Sequence, residues 1–155
     1  MKVCCFIGHR KIEINEELIN NLSNLIKTLI LEKGVYNFLF GSRSDFDSLC
    51  YKLVSKLKEK YPYLTRIFVR GEYEYINCNY KNYLLKSFED TFFPDKVHGA
   101  GRLSYVLRNE AMIDKSDYCI FYYKEDYTPI TKSRSGTKLA LDYAKQKKKD
   151  VFIIC

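Results

Sequence analysis

The chain has 155 residues, 46% of them hydrophobic, and a net charge of +7. That length suits a single domain whose core needs neither disulfide nor metal. No uncharged apolar stretch approaches the ~18 residues of a membrane helix, and the first eight residues are too short for a signal peptide and read as the start of a strand.

Residues 3–7 form a short apolar run ending at Gly8, the pattern of a buried strand. Asn15 caps a helix with Leu18, Ile19, Leu22, Leu25, Ile26 and Leu29 on one face, and Gly34 ends it. Residues 36–40 are a second strand, closed by Gly41. A helix over residues 45–60 follows, with Phe46, Leu49, Cys50, Leu53, Val54 and Leu57 as its stripe. Residues 66–69 form the third strand, closed by Gly71. Residues 72–101 read as a lid-like insertion with a short helix near residues 82–88 and a loop over residues 94–101. Then come a helix at residues 103–115, a strand at residues 118–123 and a polar loop at residues 124–135. A helix over residues 136–149 and a strand over residues 151–154 complete the order.

Strands that are apolar throughout, alternating with amphipathic helices, demand a parallel sheet covered on both faces. The expected fold is α/β: a Rossmann-like three-layer sandwich with a mostly parallel five-stranded sheet and an insertion after strand three. Residues 1–155 read as one domain.

Composition narrows the chemistry. The six cysteines, Cys4, Cys5, Cys50, Cys78, Cys119 and Cys155, include no CxxC pair, so a zinc site is not expected and buried free thiols in a reducing cytoplasm are. Part of the positive charge is one cluster, Lys145, Lys147, Lys148 and Lys149, at the end of the last helix. Such a cluster complements the helix dipole or attracts an anionic partner. Aromatics are not interleaved with a basic stripe and no nucleic-acid motif is present, so a phosphorylated small molecule explains the charge equally well.

In doubly wound sheets, ligands bind beyond the carboxyl ends of the strands where strand order reverses. Four connections matter there: Gly8-His9-Arg10, Gly41-Ser42-Arg43-Ser44-Asp45, Arg70-Gly71-Glu72 and the approach to the last helix, Ser135-Gly136-Thr137. Ser135, Gly136 and Thr137 offer amides, hydroxyls and the positive end of a helix dipole to phosphate, or a plain helix cap. Ser42 and Arg43 lie in a second turn able to hold phosphate. Asp47 offers a carboxylate to ribose hydroxyls, or a first-turn acid to the dipole. His9 is either structural or part of the site, and Arg10 can bind phosphate bidentately or stack on a base. Arg108 and Asn109 form a polar pair on an otherwise apolar helix, either surface-exposed or ligand-facing. Tyr123 is placed to stack on a base.

Cys4-Cys5-Phe6-Ile7-Gly8-His9-Arg10 resembles the opening "CCFTGHR" of the SLOG (SMF/DprA–LOG-like) superfamily, in its branch related to YpsA-like proteins. The run from Arg108 to Asp117 resembles its "RNxxMIDKSD" block, and Ser135-Gly136-Thr137 its "SGT" turn, with Tyr143-Ala144 after it. The resemblance implies a nucleotide-derived ligand such as ADP-ribose, cyclic ADP-ribose or an NAD relative, sensed or sequestered, as in bacterial or phage immunity signalling. Other members are phosphoribohydrolases that cleave a base from nucleoside monophosphates, and a DNA-processing branch makes DNA binding a further alternative. The hydrolases carry a Glu two or three residues beyond the Thr of the turn, where this chain has Leu139 and Ala140. The expectation is therefore a binding protein without resident cofactor or metal, with a nucleotide-type partner, self-associating as symmetric dimers commonly do. Nucleic acid and membrane are not its expected partners.

Overall fold

The computed structural model describes residues 2–72, 75, 77–125 and 136–155. Its elements in chain order are β1 (Lys2–Gly8), α1 (Glu16–Lys33), β2 (Val35–Phe40), α2 (Asp45–Lys60), β3 (Thr65–Val69), α3 (Cys78–Leu85), β4 (Asp90–Phe92), α4 (Ser104–Lys115), β5 (Tyr118–Tyr122), α5 (Gly136–Gln146) and β6 (Asp150–Ile154). Two single 3-10 turns, Asp95–Val97 and Gly101–Leu103, lead into α4.

The described strands form one sheet in the order β4-β3-β2-β1-β5-β6, with every neighbouring pair parallel. This is the expected Rossmann-like α/β architecture with six strands instead of five. The added strand, β4, lies inside the insertion and pairs with β3 through Ile67↔Asp90, Phe68↔Thr91 and Val69↔Phe92. The insertion therefore widens the sheet as well as carrying a helix, and that helix begins four residues before the expected residue 82, at Cys78. Chain direction reverses its march across the sheet between β1 and β5, so the switch point lies there.

Burial on both faces explains the uniformly apolar strands. Cys4, Phe6, Phe38, Phe40, Ile120 and Tyr122 pack on one face against Leu22, Ile26 and Leu29 of α1 and Phe46, Cys50 and Val54 of α2. Cys5, Ile7, Leu39, Val69, Cys119 and Phe121 pack on the other against Met112 and Ile113 of α4 and Ala140, Leu141 and Ala144 of α5. Each fully buried Leu, Ile or Phe contributes about 1.5–3 kcal/mol. Phe6 anchors the first face, with ring centres of Phe40, Phe38 and Phe46 at 5.2, 5.8 and 6.4 Å.

Helix ends follow local chemistry. The Asn15 side chain accepts from Leu18 N at 2.8 Å to start α1, and Gly34, at φ 70°, ends it. The Ser44 hydroxyl accepts from Asp47 N at 3.0 Å to start α2. Cys4, Cys5, Cys50 and Cys119 are buried free thiols, while Cys78 and Cys155 are exposed. Among the described residues no helix is long and apolar enough to cross a membrane.

Candidate functional site

Because the strands are parallel, the ends of β3, β2, β1 and β5 lie along one edge of the sheet, and a cation follows each. Arg70 comes directly after β3, Arg43 in the loop after β2, Arg10 after β1 and Lys124 after β5. Asp45, Glu72 and Glu125 share this edge, so it is mixed in sign. Asp45 Oδ2 accepts from Ile12 N at 3.3 Å, and Glu72 accepts from the Tyr105 hydroxyl at 3.3 Å.

At the switch point the protein ties its own groups together. His9 N donates to Tyr122 O at 3.3 Å, one step beyond the Gly8↔Tyr122 register pair. The His9 ring, 3% exposed, accepts from Lys124 N at Nε2, 3.0 Å away. That bond requires an unprotonated Nε2, and burial pushes the imidazole below the usual histidine pKa. Tyr122 and Tyr123 flank the ring at 5.9 and 5.4 Å. Lys138, in the first turn of α5, stands 5.7 Å from the Tyr123 ring centre, which brings the start of α5 beside this pair. Gly136 is exposed there and Thr137 is buried. Ser135 lies outside the described residues. Arg10 is exposed, and its carbonyl accepts from Asp45 N at 2.8 Å, joining the first and second loops.

Gly8 is demanded by packing. A Cβ there would stand 2.4 Å from the Phe46 ring, so the glycine lets α2 close onto β1.

One strand away, the loop after β2 is built from inside. Asp47, 3% exposed, accepts at Oδ2 from Gly41 N at 3.2 Å and Ser42 N at 2.9 Å. Burial pushes its carboxyl above the ordinary carboxylate range, while the Ser42 and Gly41 amides and the Arg108 charge act against that. The carboxylate expected to meet ribose hydroxyls thus faces inward and shapes the loop. The Ser42 hydroxyl accepts from Ser44 N at 3.3 Å, and Arg43 is exposed.

Arg108 is the most informative of the expected residues. It is 6% exposed, not a surface side chain. Its Nη1 donates to the Gly41 carbonyl and its Nε to Asn109 Oδ1, the latter at 3.2 Å. Among the described residues its Nη2 has no hydrogen-bond partner. Two glycines make room for it. A Cβ on Gly41 would meet Arg108 Cδ at 2.7 Å and Met112 Sδ at 2.5 Å, and one on Gly71 would meet Arg108 Cβ and Cγ at 3.2 Å. Burial lowers its pKa from the usual guanidinium value, with the Asp47 carboxylate opposing.

The structure therefore brings Gly8, His9, Arg10, Tyr123, Gly136 and Thr137 to the switch point, and Gly41, Ser42, Arg43, Asp47, Arg108 and Asn109 around β2. Sequence reasoning missed Gly71 as the other wall of the Arg108 slot. It also missed Tyr83 and Tyr105, whose rings sit 5.7 and 5.4 Å from Cζ of Arg43 and Arg108. The only sequence signal for Gly71 was its position right after a strand.

No family model and no curated protein matches the chain. Among solved structures it is similar to the molybdenum cofactor carrier protein of Chlamydomonas reinhardtii, with TM-score 0.58 over 98% of this chain and 75% of that one, at 15% identity. That likeness shows a shared α/β fold.

Proposed function

We propose that this chain binds a phosphorylated, nucleotide-derived small molecule at the carboxyl edge of its sheet and holds it without converting it. The observation that carries the reading is Arg108, a largely buried guanidinium in a two-glycine slot whose Nη2 has no hydrogen-bond partner among the described residues and is not sealed from solvent. A buried cation is costly unless paired and hydrogen-bonded, and a guanidinium is the side chain best shaped for phosphate oxygens. The rim of Arg70, Arg43, Arg10 and Lys124 adds attraction for an anion, and Gly136 and Thr137 add the start of α5.

The SLOG resemblance of residues 4–10 and 108–117 supports a nucleotide-related ligand such as ADP-ribose, a cyclic relative or NAD. Sensing or sequestering that ligand, as in immunity signalling, belongs to the same proposal. So does a self-associating, cytoplasmic protein. Retention over hydrolysis is favoured by two of the carboxylates and by the turn before α5. Asp47 is turned into its loop, Glu110 pairs with Lys96 at 3.2 Å, and Leu139 and Ala140 stand where the related hydrolases carry Glu. The cofactor carrier of the same fold is named for carrying, which accords with this reading.

Isothermal titration against ADP-ribose, cyclic ADP-ribose, NAD and AMP tests it. Heat with at least one of them, abolished in Arg108→Met, is the expected result. No heat and no melting shift with any of the four removes the proposal. Chromatography of the same mixtures after long incubation reads hydrolysis, and a released base would replace the carrier reading with an enzymatic one.

A further inference from the structure

The insertion places an aromatic ring beside the proposed anion site. Helix α3 is capped by the Asn77 side chain, which accepts from Tyr80 N at 2.9 Å, and is pinned by Leu84 at 2% exposure. The next residue back, Tyr83, is 54% exposed. Its ring lies 5.7 Å from Cζ of Arg43, and Tyr80 stacks near-parallel beside it, with centres 6.3 Å apart and planes at 18°. Arg43 belongs to the same loop whose Gly41 carbonyl Arg108 grips. On the other side of that grip stands Tyr105, 53% exposed and 5.4 Å from Cζ of Arg108. The loop after β2 therefore carries an arginine–tyrosine pair at each end.

We infer that Tyr83 and Arg43 form the subsite for the planar ring of the ligand, so that the ligand is a nucleotide with its base and not a sugar phosphate. This rests on the phosphate reading above. Each face of a nucleobase is a π surface, and both an aromatic ring and a guanidinium plane stack on it. Tyr83 is mounted on an anchored helix, so little freedom is lost when it is covered. Arg43 lies two residues beyond Gly41, whose carbonyl Arg108 grips, so the ring subsite and the buried phosphate cation are tied to one short loop.

The test compares AMP with ribose 5-phosphate by titration against the wild-type chain, Tyr83→Ala and Tyr83→Phe. Wild type binds AMP roughly tenfold or more tightly than ribose 5-phosphate, the scale of one base–aromatic stack. Tyr83→Ala loses that advantage while its ribose 5-phosphate affinity stays within about twofold, and Tyr83→Phe keeps both. An AMP advantage that survives Tyr83→Ala overturns the inference, as does equal binding of the two compounds by wild type. In either case ribose 5-phosphate binding leaves the phosphate reading standing. Failure of both compounds to bind any of the three proteins overturns this inference, while the phosphate reading then falls only if ADP-ribose, cyclic ADP-ribose and NAD fail as well. Tyr83 is exposed, so the circular dichroism and melting temperature of both variants should match wild type.

Discussion

The two ends of the carboxyl edge use their polar groups differently. At the switch point between β1 and β5, His9 is occupied by the protein itself: its backbone N–H reaches Tyr122 and its Nε2 takes the Lys124 amide. Between β2 and β3, Arg108 is just as buried but keeps one nitrogen without a partner among the described residues. Position at a switch point is therefore not enough to identify a contact residue. The sharper signal is a buried charge that the fold accommodates and leaves incompletely matched.

The largest expected effect lies at the closed end. Phe46→Ala removes a ring that is fully buried against Phe6 and should cost about 3–5 kcal/mol. Gly8→Ala pushes a methyl into the same ring and should cost roughly 1–3 kcal/mol. In the double variant the methyl has room, so urea unfolding should show much less than the sum of the two. Additive losses would mean that Gly8 is needed for something other than Phe46.

At the open end, Arg108→Met keeps most of the aliphatic stem in its slot but strips the Gly41 carbonyl of its donor. The expected loss is about 1–3 kcal/mol of stability, the cost of an unsatisfied buried polar group, together with loss of nucleotide binding. Full affinity in a folded Arg108→Met protein would make the open end structural too and erase the contrast. Ser44→Ala should have a smaller effect. It deletes the cap of α2 and should lower stability by about 1 kcal/mol, as read from the urea midpoint. Asp47 still holds the Gly41 and Ser42 amides, so binding should change little.

Legibility follows the same division. β1, β2 and β5 are buried on both faces, and double burial writes itself as an unbroken apolar run. β4 is three residues at the sheet edge, two of them Asp90 and Thr91, paired on one side only, and it left no pattern to read. Asn15 was readable as a cap because a cap is chemistry between residues close in sequence. The slot for Arg108 was not readable, because its walls are the missing side chains of Gly41 and Gly71, distant in sequence from α4. Asp47 was legible as a first-turn acid. Its two amide partners depend on how the loop folds back, which spacing alone does not determine. Tyr83 hid in the insertion, where composition rich in tyrosine masks any one ring.

The finest probe of the closed end is pH. Burial lowers the folded-state pKa of His9, so the fold favours the neutral ring. The stability this contributes is present above the unfolded-state value of about 6.5 and is lost as pH falls from there through the folded value, since the unfolded chain takes up the proton first. Protonation at Nε2 would also remove the acceptor for Lys124 N–H. His9→Gln offers that amide a carbonyl that does not titrate. Melting temperatures taken between about pH 7.5 and about pH 5 should fall more steeply for wild type than for His9→Gln, with the two curves separating below about pH 6.5. Parallel curves would show that His9 is not closed off, and its ring would then rank with Arg108 as a side chain open to the ligand.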